Sequence, residues 1–472
     1  MMHLYFLAFS YLAMVSTTRT QSLLPSPDPW WLHKMLRSGY IYQDPQVAKW
    51  LAGILTSKTP FLEVLEEAAD LKNQPGRRGR NLSQRQCVMP AEQSLPCRDL
   101  APSPAVPTSV HKVRPGDIKV VAGLGDSLTA GMATGASSPL AILTEYRGLS
   151  FSMGGQGDWR ECLTLPNILK MFNPSLQGAS VSETVVGSGF TSGYNLAVSG
   201  SDSGDLVRQA WSLVRKMRRD PLIDFHQDWK MVTVLTGHND LCRNTCNSTI
   251  GTFGFQGFRD GSPEKFFQNM RTVLDVLQGN LPRAFVNLVP MADVTMAHDL
   301  VHKPRVCDIT HWTYCPCLFD NKFTDTKFSK TEMKALSASY MVKLDQLVSS
   351  GRYDTSPDFT VVLQPALLHG QLPTTYEPAW GRRLPDLSYL APDCYHFSQK
   401  LQAMAARSLW NNLLQPVGQK ATDWRREVPF LCPSSSRPYL ATASQGQHGG
   451  ESLAWDWSQQ EADTKESASC PL

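Results

Sequence analysis

Four short, mostly apolar runs, Ile118 to Leu124, Met231 to Thr236, Ala284 to Val289 and Phe359 to Leu363, lack the alternation of a half-exposed strand. Their length and β-branched content predict strands buried on both faces, as in a parallel sheet. Between the first two, Leu206, Val207, Ala210, Trp211, Val214 and Met217 recur at helical spacing, with Arg208, Arg215, Lys216, Arg218 and Arg219 opposite. That pattern predicts an amphipathic helix. Further helices are expected over Phe266 to Leu277, Thr331 to Val348 and Leu401 to Leu414. Strands spaced by helices in this order imply right-handed crossovers and a doubly wound sheet covered on both faces. Ligands then bind outside the carboxyl ends of the strands.

Outside this region the pattern changes. Leu4 to Val15 is a short apolar run closed by Ser16, Thr17 and Thr18, the form of a signal peptide over residues 1–20, with a mature chain starting near Gln21. At ~12 residues it is too short to span a bilayer comfortably. Trp30, Trp31, Leu36, Trp50, Leu51, Ile54, Leu55, Phe61, Val64 and Leu65 predict a small helical extension. It leads into a Pro, Gly, Ser and Arg-rich linker carrying Arg77 to Arg80, so residues 21–106 read as extension, linker and possible propeptide. One catalytic unit is expected over residues 107–440, and a polar, disordered tail over 441–472.

Eleven cysteines in an exported chain point to disulfides, with Cys242 and Cys246 and the group Cys307, Cys315 and Cys317 as local candidates and one thiol left over. Sequons at Asn81 and Asn247 fit glycosylation in the same compartment. The net charge of +3 implies no polyanion-binding surface, so nucleic acid is not an expected partner. No later stretch is long and apolar enough for a membrane anchor.

Candidate chemistry sits at the strand ends. Ser127 follows the first strand within Gly123-Leu-Gly-Asp-Ser-Leu-Thr-Ala-Gly131, where glycines let the backbone turn and expose the next residue. A serine hydroxyl becomes a useful nucleophile only when a base takes its proton, and a histidine held by a carboxylate serves best near neutral pH. Asp393 and His396, three residues apart in one loop, supply that pair. Asp126 is expected to bond its own turn and Asp240 to brace Asn239, while His238 is a neighbour. Tyr146, Trp159 and Phe190 are candidates to line an acyl groove or to pack in the core.

Gly125-Asp-Ser-Leu128, Asn195-Leu-Ala-Val-Ser-Gly200, Gly237-His-Asn-Asp240 and Asp393-Cys-Tyr-His396 resemble, in order, the four sequence blocks of the GDSL or SGNH hydrolases. Pro107 to His111, Tyr146 to Ser150, Arg283 to Leu288, Ser350 to Asp354 and Leu409 to Asn412 resemble the repeat units of the membrane-associated phospholipase B branch, over about Leu95 to Leu440. The resemblance implies an α/β/α sandwich with a central parallel sheet, a serine hydrolase mechanism, and phospholipid, lysophospholipid or acylglycerol substrates met at a membrane or micelle surface. It also implies an oxyanion hole of Ser127, Gly200 and Asn239. No cofactor or metal is expected. A carbohydrate or small-ester deacetylase shares the same blocks, and a lipid-binding protein without catalysis is the remaining alternative. An α/β-hydrolase would carry Gly-x-Ser-x-Gly, which is absent.

Overall fold

A computed structural model gives four strands where the apolar runs predict them: β1 Ile118–Gly125, β2 Trp229–Leu235, β3 Ala284–Val289 and β4 Phe359–Leu363. It describes residues 84–446, apart from 87, 138, 187–190, 247–259, 302, 320–327 and 425–428. The expected leader, most of the N-terminal extension, Arg77 to Arg80, Asn81, Asn247, Phe190 and nearly all of the C-terminal tail lie outside the described residues.

The strands form one parallel sheet in the order β1-β2-β3-β4, so each crossover steps to the next strand in the same direction. Among the described residues the longer helices around it are α1 Leu165–Phe172, α2 Ser203–Arg218, α3 Pro263–Asn280, α4 Arg305–Tyr314, α5 Lys330–Ser349 and α6 Gln399–Leu414. Successive strand residues point to opposite faces, and the core divides accordingly. Val120, Ala122, Val232, Val286 and Val361 pack against Leu206 and Leu213 of α2, Phe266 and Leu274 of α3 and Tyr340 of α5. Val121, Met231, Phe285 and Val362 face Ile168 of α1 and Leu401, Leu409 and Trp410 of α6. The architecture is the expected α/β/α sandwich.

The strands are mostly apolar because both faces are covered, and Lys230, Thr233, Asn287 and Thr360 are buried among them. Helix α2 places Leu206, Ala210, Leu213 and Met217 in the core, whereas Trp211, expected on that face, is exposed. Leu213, one helical turn before Met217, takes the inward position instead. The segment before Pro107, expected to be linker, contributes Leu95 and Cys97 to the core, and Cys97 is bonded to Cys432. At the other end Ala441 and Thr442, placed in the polar tail by composition, are buried, and Thr442 Oγ1 lies 2.9 Å from His111 Nδ1.

Candidate active site

The nucleophile candidate is delivered by the end of β1. Gly125 closes the strand at a point where a Cβ would meet Leu235 O at 2.5 Å, so only glycine lets β1 and β2 approach there. Asp126 then caps the short helix Ser127–Ala130, its carboxylate accepting from Leu128 N at 3.0 Å. Its other oxygen lies 3.2 Å from His238 Nδ1. Asp126 is thus a turn residue with His238 beside it, as the sequence reading has them. Ser127 opens the short helix at the carboxyl edge of the sheet.

The loop after β4 brings the partner pair to the same edge. Asp393 is completely buried, and Oδ1 accepts from the backbone of Tyr395 at 3.1 Å and of His396 at 3.0 Å. Its Oδ2 lies 2.6 Å from His396 Nδ1, and His396 Nε2 lies 2.9 Å from Ser127 Oγ. Burial alone would raise the Asp393 pKa, but the neighbouring His396 imidazole and these hydrogen bonds hold it below the ordinary carboxylate value. Asp393 therefore stays an anion facing the imidazole.

A second extended segment runs alongside β1. Leu196 N donates to Gly123 O at 2.9 Å and Val198 N to Gly125 O at 3.2 Å, which carries the chain to Gly200 beside the end of β1. Gly200 has φ +86°, a conformation that costs glycine little. Asn239 follows β2, and its Nδ2 donates to Ser201 O at 2.9 Å, which fixes the amide while leaving its second hydrogen unspent. Asp240 does not brace Asn239 as expected. Its carboxylate accepts instead from Ser203 N at 2.9 Å and Ser203 Oγ at 2.5 Å, tying the start of α2 to the end of β2.

Ser127, Gly200, Asn239 and His396 line one cleft of about 180 Å³. Its remaining wall is mainly apolar, with Met132, Leu143, Val186, Val198, Met296 and Leu372 among the lining residues. Trp159 is not among them: it is buried in the core, with Arg160 stacked 5.0 Å from its ring. Tyr146 packs against the Met132 and Ile142 cluster. Among the described residues no group of three His, Cys, Asp or Glu side chains could hold a metal ion.

A GDSL-like lipase/acylhydrolase family model matches residues 121–409, a span that includes Ser127, Gly200, Asn239, Asp393 and His396. The chain belongs to that family. Membership makes it an ester hydrolase. Membrane-associated phospholipase B1 of Mus musculus is 41% identical over 75% of this chain and 23% of its own length. The Homo sapiens protein of that name is 41% identical over 74% of this chain and 23% of its own. This GDSL-like chain therefore spans about a quarter of the length of the curated relatives it matches. An extracellular lipase from Streptomyces rimosus is similar at 12% identity and TM-score 0.27, over 60% of this chain and 95% of that one.

The cleft of this GDSL-like hydrolase also holds Arg243, Tyr314 and Tyr395, which the sequence reading did not single out. Arg243 follows Asn239 by four residues and brings a guanidinium nitrogen within 3.3 Å of where a Gly200 Cβ would lie. The Tyr314 and Tyr395 rings stand edge-on to His396, with centroids 5.0 and 5.4 Å away. The cysteine pairing also departs from local expectation. Cys242 joins Cys315, Cys246 joins Cys317 and Cys307 joins Cys394, so the two clusters bond to each other and to the His396 loop. Cys162 is a buried free thiol whose pKa burial pushes up to about 12, which keeps it unreactive.

Proposed function

We propose that the chain hydrolyses the acyl esters of phospholipids and lysophospholipids by covalent catalysis from Ser127. The observation that carries this reading is the continuous contact from Ser127 Oγ through His396 to Asp393, at 2.9 and 2.6 Å, opening into an apolar cleft. His396 Nε2 takes the hydroxyl proton as Ser127 Oγ attacks the acyl carbonyl, and Asp393 holds the ring in the tautomer that leaves Nε2 free to accept. Charge gathering on the carbonyl oxygen is met by the Ser127 and Gly200 amides and the Asn239 side chain. The glycerol oxygen leaves with the proton from His396. Water, deprotonated by the same imidazole, then releases the fatty acid and restores Ser127.

The substrate class rests on the apolar wall and on similarity to proteins named phospholipase B1. Four disulfides among the described residues favour an oxidising compartment, which supports secretion. The test is release of long-chain fatty acid from phosphatidylcholine and lysophosphatidylcholine by purified protein, compared with acetate release from acetylated sugars. Release from the lipids that disappears in Ser127→Ala supports the proposal. Turnover confined to acetyl esters would make the protein a deacetylase, and lipid binding without turnover would make it a carrier.

A further inference from the structure

The two arms of the proposed machinery come from different strands, Asn239 after β2 and the Asp393 to His396 loop after β4. A third segment, α4 with the turn Cys315 to Phe319, joins them and supplies no reacting atom. On one side it is bonded to the chain just beyond Asn239, through Cys242–Cys315 and Cys246–Cys317. On the other it is bonded into the triad loop itself, because Cys394 lies between Asp393 and His396 and pairs with Cys307.

Non-covalent contacts repeat the connection. Thr310 Oγ1 donates to Asp393 O at 2.7 Å, and His311 Nε2 donates to Cys394 O at 2.9 Å. Desolvation lowers the His311 pKa to about 4, so the ring is a neutral donor there across the working range of a hydrolase. Tyr314, at the end of α4, stands against the His396 ring. Cys394 has φ +55°, in the left-handed region that a non-glycine residue occupies only when its surroundings hold it. Here the side chain is held by Cys307 and the carbonyl by His311. That turn is what lets Oδ1 of Asp393 accept two backbone N–H groups while Oδ2 meets the imidazole.

We propose that α4 and its three disulfides form a bracket that sets the position of the Asp393–His396 pair relative to Asn239, with Cys394, Thr310 and His311 as positioning residues. The proposal rests on the triad reading above. A disulfide that acts only as a staple stabilises through loop closure, and there the Cys97–Cys432 pair, closing 335 residues, should matter at least as much as Cys307–Cys394, closing 87. The bracket predicts a different ranking for chemistry than for stability.

The experiment measures, in the full chain, the rate at which a fluorophosphonate labels Ser127, together with kcat, KM and melting temperature. The variants are Cys307→Ala with Cys394→Ala, Cys97→Ala with Cys432→Ala, Thr310→Val and Thr310→Ser. Below the melting point of each, loss of Cys307–Cys394 should slow labelling and kcat by roughly tenfold or more with KM little changed, since ångström-scale misplacement of a catalytic group costs up to about a hundredfold. Loss of Cys97–Cys432 should lower the melting temperature and leave the labelling rate of folded protein as it was. Thr310→Val should slow labelling and Thr310→Ser should restore it, which keeps the test open if the disulfide variant does not fold. Equal labelling rates in the two disulfide variants, or a Thr310→Val rate equal to wild type, would overturn the bracket while leaving the triad standing. Wild-type protein that is never labelled at Ser127 would overturn the triad reading and the bracket with it.

Discussion

Ser127 Oγ and His396 Nε2 lie 2.9 Å apart although 269 residues separate them in the chain. The contact joins the end of β1 to the loop that leads into α6, so it depends on tertiary assembly. Asp393 completes the line through Oδ2 while Oδ1 is occupied by two backbone donors.

Asp393→Asn should therefore fold and fail. The two backbone N–H groups keep an oxygen at the Oδ1 position, which turns the new NH2 group toward His396 Nδ1 and favours the wrong tautomer. Ester hydrolysis should fall by roughly 10³- to 10⁴-fold in kcat with KM nearly unchanged. Steady-state kinetics on a soluble ester checks this, and a loss below tenfold would remove Asp393 from the mechanism.

Asn239→Ala deletes a donor already oriented by Ser201 O. A preorganised oxyanion donor is worth about 2.7–4 kcal/mol, so kcat should drop by roughly 10²- to 10³-fold. Circular dichroism of the same preparation separates this from misfolding. Unchanged turnover would place the oxyanion elsewhere in the cleft.

Chelation should leave the rate of fatty-acid release nearly unchanged. In the proposed mechanism two amides and Asn239 meet the developing charge and Ser127 supplies the attacking oxygen, so no step calls for a Lewis acid. Activity abolished by EDTA and restored by calcium would contradict that division of labour.

The buried Asp240 makes stability depend on pH in an unusual direction. Burial, and then the neighbouring Asp202, pushes its pKa up to about 7, above the ~3.9 of an unfolded chain. Between those values the native state holds a proton that the unfolded state releases. This contribution therefore weakens stability as pH rises from about 4 to about 7 and is level above that. Asp240→Asn removes it, so the melting temperature of the variant relative to wild type should climb across that interval. A constant or falling difference would count against a protonated Asp240.

The sheet was legible because its strands are mostly apolar without alternation, and the core-facing side of α2 followed from spacing alone except at Trp211. Ser127, Asp393 and His396 could be singled out because a glycine-rich strand end and a three-residue Asp-to-His spacing are local signals, and the structure brings the three together. The cysteine pairing was not legible. Each bond within the Cys242, Cys246, Cys315 and Cys317 set crosses more than seventy residues, and nothing in neighbouring residues encodes which partner arrives. Arg243 and Tyr314 escaped notice for the same reason: each enters the cleft through tertiary placement. Adjacency in sequence suggests Asp240 as a brace for Asn239, but its partner is Ser203 across the sheet edge.

The most direct test of the account is covalent labelling of the intact protein by a fluorophosphonate, followed by peptide mapping. The triad geometry predicts one adduct, on Ser127, whose formation is lost in His396→Ala and in parallel with lipid ester hydrolysis. Labelling at a different serine, or full ester hydrolysis by a correctly folded Ser127→Ala variant, would contradict it.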